Sequence, residues 1–536
     1  MALPLLTTTA THDGAPLVAI TPRSTRSERA RGAARALESS TNGLCGVGAH
    51  GRIPDRLPGP GEQFRFHVDM DLCIGCKCCV VACNEQNGNP ASINWRRVTE
   101  VESGSYPAAR RAYFSMGCNH CVDPTCLSGC PVDAYSKDAA TGIVRHSAET
   151  CIGCQYCTWT CSYGVPQFNP ERGVVGKCDM CHGRLSTGLA PACVSACPEG
   201  AIAIEIVNVA EWRAAAAAPA TAAATGPTTA PRADASLSTT RVTLPRTLPG
   251  AVRPLDLDRL RPGDPHTPLV IMTVLTQLSV GAFATIWLAE LLGAAGDRGV
   301  AALVALAVGG AALAAATLHL GRPIHAYRAM KMWRRSWLSR EVVLFAAFSH
   351  VAGVYVALMW FGWPGAQLAG AVTVLLGVAG IVASGCIYLV ASRPAWNTPR
   401  TIAQFLLTGA VLGPLVAGAA GAANSVWLRG AAGASAVALL MLIGVSLREQ
   451  RVSPSVELRA TARLVSSRFA RLFRARLALL GLGGFLAPVL SGDPLTLAAA
   501  AVATLGGELL GRYLFFVTAV PKHMTAPYLA VDGEAA

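Results

Sequence analysis

Four groups of four cysteines constrain this chain more than any other feature. The chain has nineteen cysteines, and seventeen of them lie between Cys73 and Cys197. Group one is Cys73, Cys76, Cys79 and Cys83, spaced C-x2-C-x2-C-x3-C. Group two is Cys118, Cys121, Cys126 and Cys130, followed by Pro131. Group three is Cys151, Cys154, Cys157 and Cys161. Group four is Cys178, Cys181, Cys193 and Cys197, followed by Pro198, with eleven residues between its two pairs. Thiolates on one tight loop can reach three irons of one cubane, and the fourth can reach the neighbouring cube. Sixteen ligands so spaced predict four [4Fe–4S] clusters. C-x2-C pairs also suit structural zinc, but zinc takes two pairs per ion rather than triplets with a trailing cysteine. Disulfides would need an oxidising compartment, and the spacing has no stapled framework. Cys78 reads as a spare thiol beside the ligands, and Cys45 and Cys386 as ordinary residues.

The triplet loops resemble those of bacterial ferredoxins, and the segments around them fit. FRFHVDMD before Cys73, TGIVRHSAET before Cys151 and AIAIEIVNV after Cys197 alternate like short strands. The predicted fold is an α+β, ferredoxin-like tandem cluster domain followed by an all-α polytopic membrane domain of eight transmembrane helices. The chain is 52% hydrophobic yet carries a formal net charge of +13, with a mean hydropathy of +0.40. Long apolar spans joined by basic loops reconcile those values. No basic helix with interleaved aromatics argues for nucleic acid. No G-x-G-x-x-G follows a strand, so the chain offers no nucleotide site for a self-sufficient reductase.

In order, residues 1–63 read as a mobile extension with no secretory signal. Residues 64–210 read as the cluster domain, with an insert at 84–117 that covers a cluster or faces a partner. Residues 211–262 are an Ala/Pro/Thr-rich linker, expected to be flexible and semi-extended. Residues 263–522 are the membrane anchor, and 523–536 a C-terminal tail. The predicted spans are 268–292, 299–320, 341–362, 365–392, 401–423, 425–447, 475–490 and 495–520. The seventh is the weakest, being short and holding Pro488. Counting from Arg241 onward, twenty-two Lys and Arg residues fall just before span one, in alternate loops and after span eight, against Arg298 and Arg429 on the opposite side. The positive-inside rule then puts both termini and the cluster domain in the cytoplasm, with the chain in the inner (plasma) membrane. Reduced thiolates for cluster assembly agree with that compartment.

Both halves resemble parts of one known family. CNHCVDPTCLSGCPVDA, CIGCQYCTWTCSYGVPQFN and KCDMCHGRLSTGLAPACVSACP are similar to the iron–sulfur subunit of the dimethyl sulfoxide reductase family. Leu318-His319-Leu320-Gly321-Arg322-Pro323, Ser336 to Glu341, Pro399-Arg400-Thr401 and Glu508 to Arg512 are similar to its quinol-oxidising membrane anchor. The chain thus resembles a natural fusion of two subunits. The resemblance implies a ligand pairing: Cys73, Cys76 and Cys79 with Cys197; Cys178, Cys181 and Cys193 with Cys83; Cys118, Cys121 and Cys126 with Cys161; Cys151, Cys154 and Cys157 with Cys130. Some relatives replace the residue at the Cys154 position and hold a three-iron cluster; cysteine here implies four cubanes. The resemblance also implies a separate molybdopterin-containing catalytic subunit, wired to the membrane quinone pool. The chain is then a redox subunit with no substrate-converting site apart from a quinone site. The loop charges favour a cytoplasm-facing relative, such as the sulfite-oxidising type.

The resemblance places quinone-site residues at His319 and Glu341. A histidine can hydrogen-bond a quinone oxygen and carry a proton, and a carboxylate can pass that proton on. The plainer reading is that both are interfacial anchors. PIHAYRAMKMWRRSW between them reads as an interfacial helix, with Trp333 and Trp337 at headgroup depth. Glu508 and Arg512, four residues apart, are expected to share a face and pair. Bis-histidine haem is not expected, since only His319 and His350 sit at plausible positions. The alternative function is a polysulfide-reductase-type energy-coupling protein that also moves ions; further paired mid-span charges would favour it.

Overall fold

Alternating burial along the strands sets the first half. A computed structural model describes residues 52–104, 106–217, 236–245, 252–255, 260–294, 296–422 and 426–528, with short pieces at 11–12, 15–16 and 228–229. Strand β1 (Glu62–Asp69) buries Phe64, Phe66 and Val68 and turns the residues between them outward. The hairpin of β2 (Arg97–Ser103) and β3 (Arg110–Met116) is formed by the insert that follows α1 (Cys78–Asn87). Two short helices, α2 (Thr125–Gly129) and α3 (Tyr156–Thr160), bracket the pair β4 (Tyr135–Lys137) and β5 (Val144–His146). A second short pair, β6 (Gln167–Asn169) and β7 (Val174–Gly176), follows. Helix α4 (Ala192–Ser195) leads into β8 (Ile202–Asn208), which runs antiparallel to β1 from Ile202↔Val68 to Asn208↔Glu62. Helix α1 packs on α4, and α2 packs on α3. Each such pair crosses cysteine loops that are distant in sequence.

The stretch expected to be a linker is in part built into this domain. Helix α5 (Val209–Ala217) buries Trp212, whose Nε1 donates to the Ser238 carbonyl at 2.7 Å. Strand β9 (Arg241–Thr243) adds parallel to β1, and β10 (Val252–Pro254) pairs with β2. Low complexity in 213–235 hid that the flanks carry strand-forming residues. The C-terminal segment also returns here: Tyr528 packs its ring on Phe114 and Tyr163, and its hydroxyl meets Ser238. The basic stretch of the N-terminal extension, like Cys45, lies outside the described residues.

The second half has eight helices long and apolar enough to cross a membrane, among the described residues: Thr267–Leu291, Arg298–Leu318, Trp337–Phe361, Ala366–Ile387, Pro399–Ala419, Val426–Val452, Ala470–Leu490 and Pro494–Thr518. These match the expected spans to within a few residues, and the seventh is again the irregular one. It contains a π-helical stretch, Leu480–Leu486, just ahead of Pro488. Arg471, Arg474 and Arg476, expected in a loop, lie inside its first turns. An amphipathic helix, Val456–Ser466, precedes it. The segment between the second and third spans, expected to be an interfacial helix, is a short 3-10 helix over Pro323–Met330. Pro323 opens it and tightened i→i+3 bonding follows. Trp333 and Trp337 are exposed.

The cysteine domain and the spans meet along one face. Gly321 N donates to the Gly153 carbonyl at 3.4 Å and Arg322 N to that of Ile152 at 3.1 Å. Ser336 Oγ donates to the Gly129 carbonyl at 2.6 Å, and Arg335 pairs with Asp133 at 2.9 Å. Ser392, after the fourth span, bonds the Trp159 carbonyl. A cleft lined by Tyr163, Glu457 and His523 separates the domain from the segments after the sixth and eighth spans.

Candidate functional site

Each cysteine loop is a turn that ordinary residues resist. Gly75 and Gly153 have φ of 71° and 70°, and Lys77 and Gln155, which follow Cys76 and Cys154, are also left-handed at 62° and 60°. Such geometry favours glycine and aims backbone N–H groups inward. Accordingly Gly153 N lies 3.4 Å from Cys151 Sγ, Met180 N 3.4 Å from Cys178 Sγ, and Ala134 N 3.3 Å from Cys130 Sγ.

The fold gathers the sixteen thiols into four quartets. Cys73 neighbours Cys79, Cys197 and Cys76. Cys83 neighbours Cys178, Cys193 and Cys181. Cys126 neighbours Cys161, Cys118 and Cys121. Cys157 neighbours Cys154, Cys151 and Cys130. Burial, then the thiols of Cys130 and Cys151 crowded beside it, push the Cys154 thiol up to about 12. Four neighbouring sulfurs, most of them wholly or partly buried and several met by N–H donors, are a donor set that suits an iron–sulfur cube. Cys78 is exposed beside the first quartet.

Two buried cations link the quartets, and sequence reasoning missed both. Arg96 is 1% exposed. Burial would lower its pKa, but the sulfurs of Cys193, Cys79, Cys178 and Cys83 more than offset this and raise it. It donates to Ser115 Oγ at 3.1 Å and lies 4.6 Å over the Phe66 ring. Lys177, 3% exposed, likewise sits beside Cys118, Cys126 and Cys178, and their charge outweighs the cost of burial. The quartets therefore follow one another in a row. The quartet of Cys73 is outermost, with Cys76 exposed and Leu72, Ile74 and Val81 uncovered around it. Arg96 joins it to the quartet of Cys178, and Lys177 joins that to the quartet of Cys118. The quartet of Cys151 is last, against the membrane half.

At that last quartet, α3 drives Tyr156 and Trp159 into the top of the spans. The Trp159 ring stacks on His319 at 6.4 Å and meets His266 edge-on at 5.1 Å, Trp396 at 5.6 Å and Tyr388 at 5.8 Å. His266 and His319 are themselves 5.2 Å apart. Burial first, then His266, lowers His319 to about 4, while the Cys154 backbone acts the other way. The Nε2 of His319 is buried without a partner. Glu341, 8% exposed in the first turns of the third span, faces Ser384, Tyr156 and Tyr388. The two sequence-predicted residues thus converge on the Cys154–Tyr156 turn. Trp159, Tyr156, Tyr388 and His266 were not foreseen. Trp159 lies within CIGCQYCTWTC, where an exposed metal loop has no reason to keep a tryptophan; that was the available signal.

Other expectations fared differently. His350 points outward, and its Nδ1 bonds the Ala346 carbonyl of its own helix at 2.7 Å. Glu508 meets Arg476 of the seventh span at 3.5 Å, and Arg512 turns to Gln277 Oε1 at 3.0 Å. The helix face they share does not make them a simple pair, because Arg476 and Gln277 reach in from neighbouring spans.

Residues 109–206 match the 4Fe-4S dicluster domain family, and residues 260–517 match the DMSO reductase anchor subunit (DmsC) family. The protein is 38% identical over 146 residues to the B subunit of the anaerobic dimethyl sulfoxide reductase of Haemophilus influenzae, covering 26% of this chain and 71% of that protein. It is 38% identical over 144 residues to YnfG, a probable anaerobic dimethyl sulfoxide reductase subunit of Escherichia coli, covering 25% and 70%. Protein NrfC of Escherichia coli is 40% identical over 146 residues, covering 26% and 65%.

Proposed function

We propose, on the premise that this chain belongs to the dimethyl sulfoxide reductase family and joins its iron–sulfur subunit to its membrane anchor in one polypeptide, that it carries electrons between a membrane quinone and a separate molybdopterin-containing catalytic subunit. The residues that would hold four [4Fe–4S] clusters are the four quartets: Cys73, Cys76, Cys79 and Cys197; Cys83, Cys178, Cys181 and Cys193; Cys118, Cys121, Cys126 and Cys161; Cys130, Cys151, Cys154 and Cys157. Such clusters supply one-electron stations. The chain's own part is to fix their order, exclude water and set the charge around them. Arg96 and Lys177 offset the negative charge of thiolate-bound iron, which favours the reduced state.

The observation that carries this reading is the junction. The quartet of Cys151 abuts the place where a histidine with an unpartnered Nε2 and a buried carboxyl converge beneath an aromatic roof. His319 Nε2 is free to hydrogen-bond a quinone oxygen, and Glu341 is placed to hold or release the proton that accompanies an electron. Tyr156 and Trp159 come from the cysteine domain, so the site is complete only when both halves dock. The exposed rim of the first quartet is the exit towards the catalytic partner. The basic loops flank the cysteine domain, which supports a cytoplasmic location for it.

Anaerobically purified protein is expected to contain about sixteen iron atoms and as many acid-labile sulfides per chain, four per cube. Half that iron, or a zinc-dominated analysis, would overturn the four-cluster reading.

A further inference from the structure

A second polar centre lies in the middle of the membrane half. Glu508, 3% exposed at the centre of the eighth span, bonds Thr408 of the fifth span and lies 3.5 Å from Arg476 Nη2 of the seventh. One turn further on, Arg512 reaches Gln277 of the first span and lies 3.5 Å over the Phe405 ring. Arg476 Nε, Arg512 Nε, Gln277 Nε2 and Thr504 Oγ1 are buried without hydrogen-bond partners. Each such atom is costly if it stays dry. Several together at membrane depth mark a place that holds water or passes charge.

A cavity of about 550 Å³ leads there. Its mouth, on the face that carries the cysteine domain, is flanked by Arg400 and Glu449, which pair at 2.6 Å. Ser446 and Gln404 line its wall, and Arg476 forms its floor against Gly511. A Cβ at Gly511 would fall on the Arg476 guanidinium, so the glycine supplies the space that side chain needs. The π-helical stretch Leu480–Leu486 follows Arg476 by one turn. On the far side, Tyr388 lies within electrostatic reach of both Arg512 and Glu341, and its ring packs on Phe405.

We propose that this cavity is the water-filled entry of a proton conduit, which runs from the cysteine-domain face of the membrane to Arg476 and continues through the polar side chains Glu508, Arg512 and Tyr388 to Glu341 at the quinone site. It rests on the quinone reading above. Oxidation of one quinol releases two electrons and two protons, and reduction of one quinone consumes both. Glu508 takes a proton from cavity water to become a carboxylic acid and returns it to become a carboxylate, in either direction. Arg476 on the seventh span lies against the carboxylate, and Arg512 adds positive charge one turn further along its own helix. Thr408 and Gln277 contribute only neutral hydrogen bonds.

Glu508→Gln keeps the shape and hydrogen-bonding capacity but cannot carry a proton. In the full chain, assembled with its catalytic partner in lipid vesicles, electron exchange with quinol is expected to fall at least tenfold. Binding of a quinone-analogue inhibitor, and turnover fed to the clusters by a reduced dye, are expected to stay at parental values. Should that variant fail to assemble, Ser446→Trp fills the cavity away from the charges, with the same loss expected. Parental exchange in the assembled variants overturns the conduit, and so does loss of inhibitor binding in Glu508→Gln, which would make the residue a support of the quinone pocket. Failure of the quinone reading is recognised separately: His319→Ala would then leave quinol exchange intact.

Discussion

Arg96 and Lys177 are the side chains whose environment most exceeds what a sequence reveals. Both are buried cations surrounded by cysteine sulfurs, a placement that costs stability unless the sulfurs carry negative charge. Removing the Arg96 charge should therefore disfavour the reduced form of the flanking clusters. Arg96→Gln is expected to lower their reduction potentials by an amount on the order of 100 mV, since one elementary charge moved through that potential is about 2.3 kcal/mol. Potentiometric EPR titration reads the shift; unchanged potentials would mean that Arg96 is only a packing residue. The cysteine groups were legible because their spacing is a local property. Arg96 was not, because what makes it special is four sulfurs drawn from three distant loops.

At the scale of elements, the junction is made by backbone meeting backbone. Gly153, Gly173 and Gly321 approach so closely that a Cβ on Gly321 would fall on the Gly173 carbonyl. That contact fixes how far the last quartet sits from His319. Gly321→Ala is expected to wedge the cysteine domain off the spans and cut quinol-to-cluster electron exchange at least tenfold, with iron content unchanged. Freeze-quench EPR after quinol addition measures it; parental rates would show that the close approach has slack. The eight spans were legible because each is a long apolar run, and the strands of the cysteine domain because they alternate. The irregular pieces were not: the Pro323–Met330 segment carries a helical pattern but is opened by a proline, and the strand at Arg241–Thr243 is only three residues long. Its pairing with β1 is set by tertiary contacts that no local pattern contains.

For the whole molecule, the fused chain presents its basic loops and cysteine domain on one side of the spans, with the last quartet above His319 and Glu341. A reporter active only in the cytoplasm, fused after Ala536, is expected to give signal, because the loop Lys and Arg residues from Arg241 onward border that side, against Arg298 and Arg429 on the other. Signal only from a reporter that works outside the cell would reverse the orientation. That Glu508 and Arg512 belong to a centre built by several spans was beyond the sequence, which offered their i,i+4 spacing but not Gln277, Thr408 or Arg476. The most direct test of electron transfer at the junction compares His319→Ala and Glu341→Gln with the parental chain in membranes. Each variant is expected to lose quinol-driven cluster reduction, followed by EPR, while keeping full iron content, partner binding and dye-driven turnover. Parental rates of cluster reduction in both variants would contradict the account and place quinone chemistry elsewhere.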